Sequence, residues 1–490
     1  MQILRSRQES ETPSSSDSLH PPVARRSSSL TCPSGAERQW MRSISLRKTL
    51  AQPYSYWLAN RQTRTMPQKD YLFRSSVPTH GFHFFFSHTW KTDGRWKCLS
   101  LLLQFGWPTI SICWACGVIL AFALCMLDVL PLFELWQPIP IHLDGAFPSG
   151  CWIQVFGLLG ILSGCLLFPH LPCYKQDKCF LDFVCINQTE SSKTREGIMS
   201  ISAFLEASEE LRVLWSSPLL SRLWCVFEIA AYRKLNPEGK IVIAPVTNEI
   251  SACMLFCWWQ LSSLAFWKAR AGPEGGSPEA VLVVLFAVCG ILMPASGYAI
   301  WRNHRATVKL RSDLANFDVL KVSCSSDFDK ECIHEAIVTW YGSLEAFSSH
   351  VLELMRISGS VSYHYIFLPI SPVVCLSLDS ILAACKARAP ARMVLSLFFN
   401  QVVALELLYF PAVGILFTWI ARRGLWLGNC RCKPLALEIF FIQVLSVFAS
   451  VAGASMGVIV AARSLEVTLL WNVFAIVFAA VVWRFCWHAK

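Results

Sequence analysis

The chain has 490 residues, of which 54% are hydrophobic and only 16% are charged. Soluble globular proteins carry about 25% charged residues, so this composition excludes collagen-like, mostly disordered and small disulfide-stapled classes and indicates extensive lipid-facing surface. The net charge is +10, but Lys and Arg cluster beside apolar segments, which favours the positive-inside pattern over nucleic-acid binding. The 21 cysteines have no regular spacing, which favours buried thiols in a reducing compartment.

The amino-terminal 70 residues carry most of the excess positive charge, together with Ser and Pro and few aliphatic residues. Such a segment buries too little apolar surface to order itself, so residues 1–70 are predicted to form a disordered basic tail. No apolar core of a cleaved signal peptide follows Met1. Insertion into a membrane is therefore expected to use an internal segment.

Apolar stretches long enough to cross a bilayer, which takes about 20 helical residues, recur along the rest of the chain. Eight spans are predicted, at residues 107–127, 151–168, 251–267, 280–301, 363–385, 393–421, 434–461 and 467–487. The third is short and contains Gln260, so a buried or interfacial helix is the alternative there. The spans form a first hairpin (107–168), a second hairpin (251–301) and a four-span carboxyl-terminal block (363–487).

The distribution of basic residues predicts how these spans are oriented. Residues 128–150 contain no Lys or Arg, whereas residues 172–249 contain many. The positive-inside rule therefore places the amino terminus and the polar blocks between the spans in the cytosol. The basic loop 386–392 would then lie on the opposite side, which leaves its orientation open.

Three polar blocks, at residues 80–105, 172–249 and 302–356, lie between the spans and carry strand-like and helix-like patterns. Strands are predicted at residues 81–86, 179–184, 211–215, 241–245 and 317–322, with helices at 197–205, 218–232 and 333–341. Strands that are apolar throughout and alternate with helices predict an α/β domain with a parallel five-stranded sheet covered on both faces. Each inserted hairpin returns the chain to the side it left, so one domain can form from all three blocks.

The most specific pattern lies between Cys179 and Tyr232. Its parts are Phe180-Leu181-Asp182, Gly197-Ile198, Val213-Leu214-Trp215-Ser216 and Trp224-Cys225-Val226-Phe227-Glu228. In this order the parts resemble the plant-type Toll/interleukin-1 receptor (TIR) domain, and residues 84–88 (Phe-Phe-Phe-Ser-His) resemble the first strand of that family. The resemblance implies a flavodoxin-like sheet, self-association with like domains and, in many members, cleavage of NAD at the nicotinamide ribosyl bond.

The resemblance also implies roles for single residues. By position, the carboxylate of the family's Trp-Cys-x-x-Glu pattern is Glu228, which becomes the catalytic candidate, because a fixed carboxylate stabilises the positive charge that glycosidic cleavage builds on the ribose. Ser87, His88, Asp182 and Trp224 become the candidates for binding NAD, which is a substrate, and no resident cofactor or metal is implied. The structural alternatives are an exposed helix turn for Glu228, core packing for Trp224 and an ordinary loop residue for His88.

Five polar residues fall within the predicted carboxyl-terminal spans: Asp379, Asn400, Gln401, Glu406 and Glu438. An ionisable group at membrane depth predicts a functional role, and hydrogen bonding between helices is the alternative. Three functions therefore compete: a TIR-like signalling protein that self-associates and hydrolyses NAD, a non-enzymatic membrane scaffold or adaptor, and a transporter or channel that uses the acidic spans. The expected partners are the lipid bilayer, a second copy of the TIR-like domain and NAD, with no nucleic acid.

Overall fold

The computed structural model describes residues 39–59, 63–135, 147–172, 177–216, 218–270, 317–324, 327–357, 364–413 and 465–488, with six further positions between these ranges. Within them, the chain is a mixed α/β protein that combines one six-stranded sheet with long apolar helices. The predicted α/β class is confirmed, and five helices that are long and apolar enough to cross a membrane agree with the prediction of a membrane protein.

The strands are β1 (Arg42–Ser45), β2 (Val77–Pro78), β3 (Phe82–His88), β4 (Phe133–Leu135), β5 (Phe147–Ser149), β6 (Lys178–Phe180), β7 (Ser208–Trp215) and β8 (Lys240–Pro245). Six of them form one sheet in the order β2-β1-β6-β3-β7-β8. The strands β6, β3, β7 and β8 are parallel, whereas β1 and β2 extend the β6 edge in antiparallel fashion. A separate pair, β4 and β5, lies between the first two long helices.

The α-helices are α1 (Leu46–Ala51), α2 (Met66–Ser75), α3 (Gly94–Met126), α4 (Trp152–Leu167), α5 (Asp182–Cys185), α6 (Ser191–Met199), α7 (Ile201–Glu206), α8 (Leu223–Leu235), α9 (Val246–Arg270), α10 (Asp327–Tyr341), α11 (Leu344–Ile357), α12 (His364–Lys386), α13 (Ala391–Leu397) and α14 (Leu465–His488). Two segments are π-helical, Tyr54–Leu58 and Phe398–Tyr409.

Three of the five predicted strands are present as β3, β7 and β8. The predicted strand at 179–184 is shorter, because β6 ends at Phe180 and α5 follows. The predicted strand at 317–322 is wrong: Val319–Lys321 is a 3-10 turn, whose start is capped by the Asp318 carboxylate accepting from the Leu320 N–H at 3.0 Å. Such local side-chain bonds compete with strand pairing. Just after this segment, Ser323 forms an isolated parallel β-bridge with Arg222.

Within the predicted disordered tail 1–70, the described residues 39–59 and 63–70 contain ordered elements, so the prediction is wrong there. Residues 42–51 form β1 and α1, which pack into the main core through fully buried side chains such as Ile44 and Leu46. The apolar residues of this segment are few but lie close together, so the average composition of residues 1–70 does not reveal them. Residues 1–38 lie outside the described structure.

Five helices in the described residues are long and apolar enough to cross a membrane: Gly94–Met126, Trp152–His170, Phe367–Lys386, Ala391–Val413 and Glu466–Arg484. They correspond to the first, second, fifth, sixth and eighth predicted spans. The third predicted span lies within α9, which is not among the five and carries polar residues such as Gln260. The predicted spans at 280–301 and 434–461 lie outside the described residues.

Helix α3 joins the sheet to the first hairpin without a break. Near its start it packs on one face of β3, where the Phe84 and Phe105 rings meet edge to face with their centroids 5.0 Å apart. The guanidinium of Arg212 on β7 lies 4.3 Å from the Phe105 ring centre. Leu101 and Phe105, near the start of α3, therefore pack in the α/β core, and the same helix is long and apolar enough to cross a membrane.

Candidate functional site

The site forms where the parallel strands end. Ser87 is the penultimate residue of β3, and Glu228 lies in the second turn of α8, which follows β7 and a short 3-10 turn. The Ser87 hydroxyl donates to Glu228 Oε2 at 2.5 Å. Two residues that are 141 positions apart in the chain are thus brought into direct contact at the carboxyl edge of the sheet.

The environment of Glu228 opposes ionisation. Burial raises the pKa of this carboxyl from its ordinary 4.5 to about 8, the Ser87 hydrogen bond lowers that pKa, and the charge of Asp182 raises it. A carboxylate loses hydration in such a position, which disfavours the charged form. The side chain is half-buried, and its raised pKa means that Glu228 gains and loses its proton closer to neutral pH than an ordinary glutamate does.

Asp182 begins α5 directly after β6. Its Oδ2 accepts from the Trp90 indole N–H at 3.1 Å, and its Oδ1 accepts from the Phe183 N–H at 2.8 Å. These two donors stabilise the carboxylate and hold it beside the loop that follows β3. A second hydrogen bond holds this loop: the Thr92 hydroxyl donates to Oγ of Ser216, which directly follows β7, at 2.6 Å.

Lys97 is a buried cation at this edge that the sequence analysis missed. The residue is 3% exposed, and its ammonium donates to the Thr89 carbonyl at 2.7 Å and lies 5.4 Å from the centre of the Trp90 ring. The sequence holds no sign of this role, because a lysine just before an apolar span is the ordinary signature of a cytosolic membrane boundary.

His88 is separated from the Ser87 contact. Successive side chains of a strand point to opposite faces of the sheet, so His88 projects away from the face that Ser87 shares with Glu228. Its buried ring lies among three aromatic rings, with centroid distances of 4.8 Å to Trp90, 6.2 Å to Phe183 and 6.3 Å to Trp57. The structure therefore places the His88 ring in aromatic packing.

Trp224 lies one helical turn before Glu228, on the same side of α8. Its indole N–H donates to Asp329 Oδ2 on α10 at 3.2 Å, and its ring meets Phe227 edge to face. The polar edge of Trp224 is thus engaged by α10. Of the four predicted NAD-binding residues, Ser87 contacts Glu228 directly, and Asp182 acts on it through charge.

The amino-terminal segment contributes a further part of this edge. Trp57, in the first π-helical segment, packs against His88 and Phe183, and the Arg64 guanidinium lies 4.9 Å above the Phe183 ring. The start of α3 lies so close to this segment that a Cβ added at Gly94 would lie 1.7 Å from the Trp57 carbonyl oxygen. The missed signal is the concentration of aromatic residues within an otherwise polar stretch.

The polar residues predicted in the carboxyl-terminal spans are buried where they are described. The Asn400 amide donates to Thr468 Oγ1 on α14 at 3.2 Å and to Ser396 Oγ at 3.3 Å. This is hydrogen bonding between helices, the structural alternative for Asn400. Glu406 accepts from the Ser377 hydroxyl on α12, and Glu438 lies outside the described residues.

In the part of the chain that the structure describes, no three His, Cys, Asp or Glu side chains converge as a metal site. Comparison with known proteins finds no matching family model, no matching curated protein and no matching solved structure.

Proposed function

We propose that this chain is a multi-pass membrane protein whose TIR-like domain hydrolyses NAD, with Glu228 as the catalytic carboxylate. The observation that carries the proposal is the Ser87–Glu228 hydrogen bond at the carboxyl edge of the parallel strands. In chain order, the parallel strands of the sheet are arranged 2-1-3-4, which agrees with a flavodoxin-like order. Ligands of such sheets bind outside the carboxyl ends of the strands.

The chemistry follows from what a held carboxylate does during glycosidic cleavage. The bond between ribose C1′ and the nicotinamide nitrogen breaks, its electron pair stays on nitrogen, and water adds at C1′ with release of one proton. Positive charge develops on the ribose as the bond breaks, and ionised Glu228 stabilises it. Ser87 orients the carboxylate, and Asp182 adds negative potential.

Nicotinamide release by the purified full chain in detergent tests the proposal. Glu228→Gln keeps the shape of the side chain but removes its charge, so we expect kcat to fall roughly 10²- to 10³-fold. Glu238→Gln, an exposed glutamate just after α8, is the matched control and should leave turnover unchanged. Equal turnover by the Glu228→Gln protein and the wild type would remove Glu228 from the mechanism.

Self-association belongs to the same proposal, because the TIR resemblance implies assembly with like domains. Sedimentation of the full chain should then show oligomers whose fraction rises with protein concentration. Clustering without any nicotinamide release by the wild type would favour the non-enzymatic scaffold instead.

We further propose that the α/β domain faces the cytosol, as the positive-inside pattern implies. The basic loop 386–392 then lies on the far side with the tip of the first hairpin. In support, the Lys386 ammonium pairs with Asp128 at 2.6 Å and donates to the Met126 carbonyl. Asp128 therefore offsets the charge of Lys386, one of the basic residues that make loop 386–392 an exception to the positive-inside rule.

A further inference from the structure

Glu406 is a buried carboxyl within a predicted membrane span, far along the chain from Glu228. It is 1% exposed and lies in the helix Ala391–Val413, which is long and apolar enough to cross a membrane. One oxygen, Oε1, accepts from the Ser377 hydroxyl on the neighbouring helix α12. The other oxygen, Oε2, is buried and has no hydrogen-bond partner among the described residues.

The backbone around Glu406 is unusual, because Phe398–Tyr409 is π-helical over twelve residues. Helices of this type are rare, occur mostly as single turns and are frequent at functional sites. Their hydrogen bonds join residues five apart, so Gln401 and Glu406 lie on successive turns of one side. Gln401 is 8% exposed, and its Oε1 also has no partner in the described structure.

While Glu406 is ionised, both unsatisfied atoms are acceptors, so a partner for them must carry positive charge or donate a hydrogen bond. No salt bridge of the described residues includes Glu406. A carboxylate at membrane depth without a cation is costly. A divalent ion is a poor fit, because Ca²⁺ and Mg²⁺ sites use several charged or carbonyl oxygens in a defined shell.

The geometry points to a site for a monovalent cation formed by Glu406, Ser377 and Gln401, occupied either by a proton on the carboxyl or by an alkali ion. Three of the described helices pack against the π-helical segment. Their other described titratable groups, with that of the segment itself, are Cys375, Asp379, Cys385 and Lys386 on α12, Arg392 on α13, Glu466 and Arg484 on α14, and Tyr409 on the π-helical segment. The site shares no residue with the proposed NAD site, so it stands or falls independently of that function.

Infrared difference spectroscopy of the full chain in lipid nanodiscs tests the site. Spectra between about pH 5 and about pH 9 record the carbonyl band of each carboxyl that gains or loses a proton. We expect one such band to be lost in Glu406→Gln and kept in Asp379→Asn, which is the matched buried carboxyl. Addition of NaCl at constant pH separates the two occupants: loss of the Glu406 band identifies an alkali ion, and an unchanged band identifies the proton alone.

A second variant keeps the test decisive if Glu406→Gln fails to fold in size-exclusion chromatography. Ser377→Ala removes the hydroxyl bonded to Oε1, so the frequency of the Glu406 band should shift. The inference is overturned if no band depends on Glu406 or Ser377 at either pH, with or without NaCl.

Discussion

Opposing effects act on the carboxyl of Glu228. Desolvation disfavours its charge, and the Ser87 hydroxyl favours it. The balance raises the pKa to about 8, so small changes of pH near neutrality alter the fraction of ionised Glu228. Perturbed groups of this kind concentrate at functional sites.

The proposed reaction should therefore increase with pH. If ionised Glu228 is the active form, kcat/KM for nicotinamide release rises between pH 7 and pH 9 with a midpoint near the pKa of about 8. Ser87→Ala removes the hydrogen bond that lowers this pKa, so its midpoint should move to higher pH. A pH profile of each protein checks this, and identical midpoints would exclude Ser87 from controlling Glu228.

Burial of Glu228 also predicts how stability depends on pH, whatever the reaction. The folded pKa of about 8 lies above the ordinary value of 4.5, so the folded state binds a proton that the unfolded state releases. The contribution of this bound proton to the stability of the folded state is complete below pH 4.5 and is lost as pH rises towards 8. Glu228→Gln should therefore raise Tm relative to wild type at pH 9 but not at pH 4. Glu238→Gln should give the same difference from wild type at both pH values.

At the scale of elements, the first hairpin depends on close backbone contact between α3 and α4. A Cβ added at Gly160 would lie 2.5 Å from the Cys113 carbonyl oxygen, and one at Gly164 would lie 2.6 Å from the Ile110 Cα. Backbone atoms cannot rotate away as side chains do. Small residues four apart are typical of membrane helices that pack this closely.

Gly160→Leu should separate the two helices and lower the free energy of unfolding by about 1 to 3 kcal/mol, the usual cost of overpacking. Leu159→Ala is the control, because Leu159 is 52% exposed and adjoins the same turn. Thermal unfolding in detergent measures both proteins. A Tm of Gly160→Leu equal to that of wild type would contradict the close contact.

Across the whole molecule, the sheet and the long helices are joined by a chain of polar contacts. The Gln104 amide on α3 donates to Glu249 Oε1 on α9 at 2.8 Å, and Arg212 on β7 donates to Gln104 Oε1 at 3.1 Å. Arg212 also pairs with Glu210, which pairs with Lys240 on β8. Since α3 extends about 50 Å and a bilayer core is about 30 Å thick, the helix is long enough both to cross a membrane and to reach this junction.

These contacts should couple the two parts energetically. In a double-mutant cycle of Gln104→Leu and Arg212→Met, we expect a coupling energy of about 0.5 to 3 kcal/mol, because each substitution removes the same hydrogen bond. Chemical unfolding of the full chain in detergent measures it. Additive effects of the two substitutions would show that the sheet and α3 are not linked through this pair.

The sequence alone determined the features that neighbouring residues encode. The apolar runs of β3, β7 and β8 and five of the predicted spans follow from side chains adjacent along the chain, whose periodicity and length specify the element. Tertiary structure decided which of these elements meet. The Ser87–Glu228 contact, the opposite direction of His88 and the addition of β1 to the β6 edge join residues more than 100 positions apart or depend on the face of a strand. Such contacts depend on how the elements pack in three dimensions, and the pattern of neighbouring residues in the sequence does not predict them.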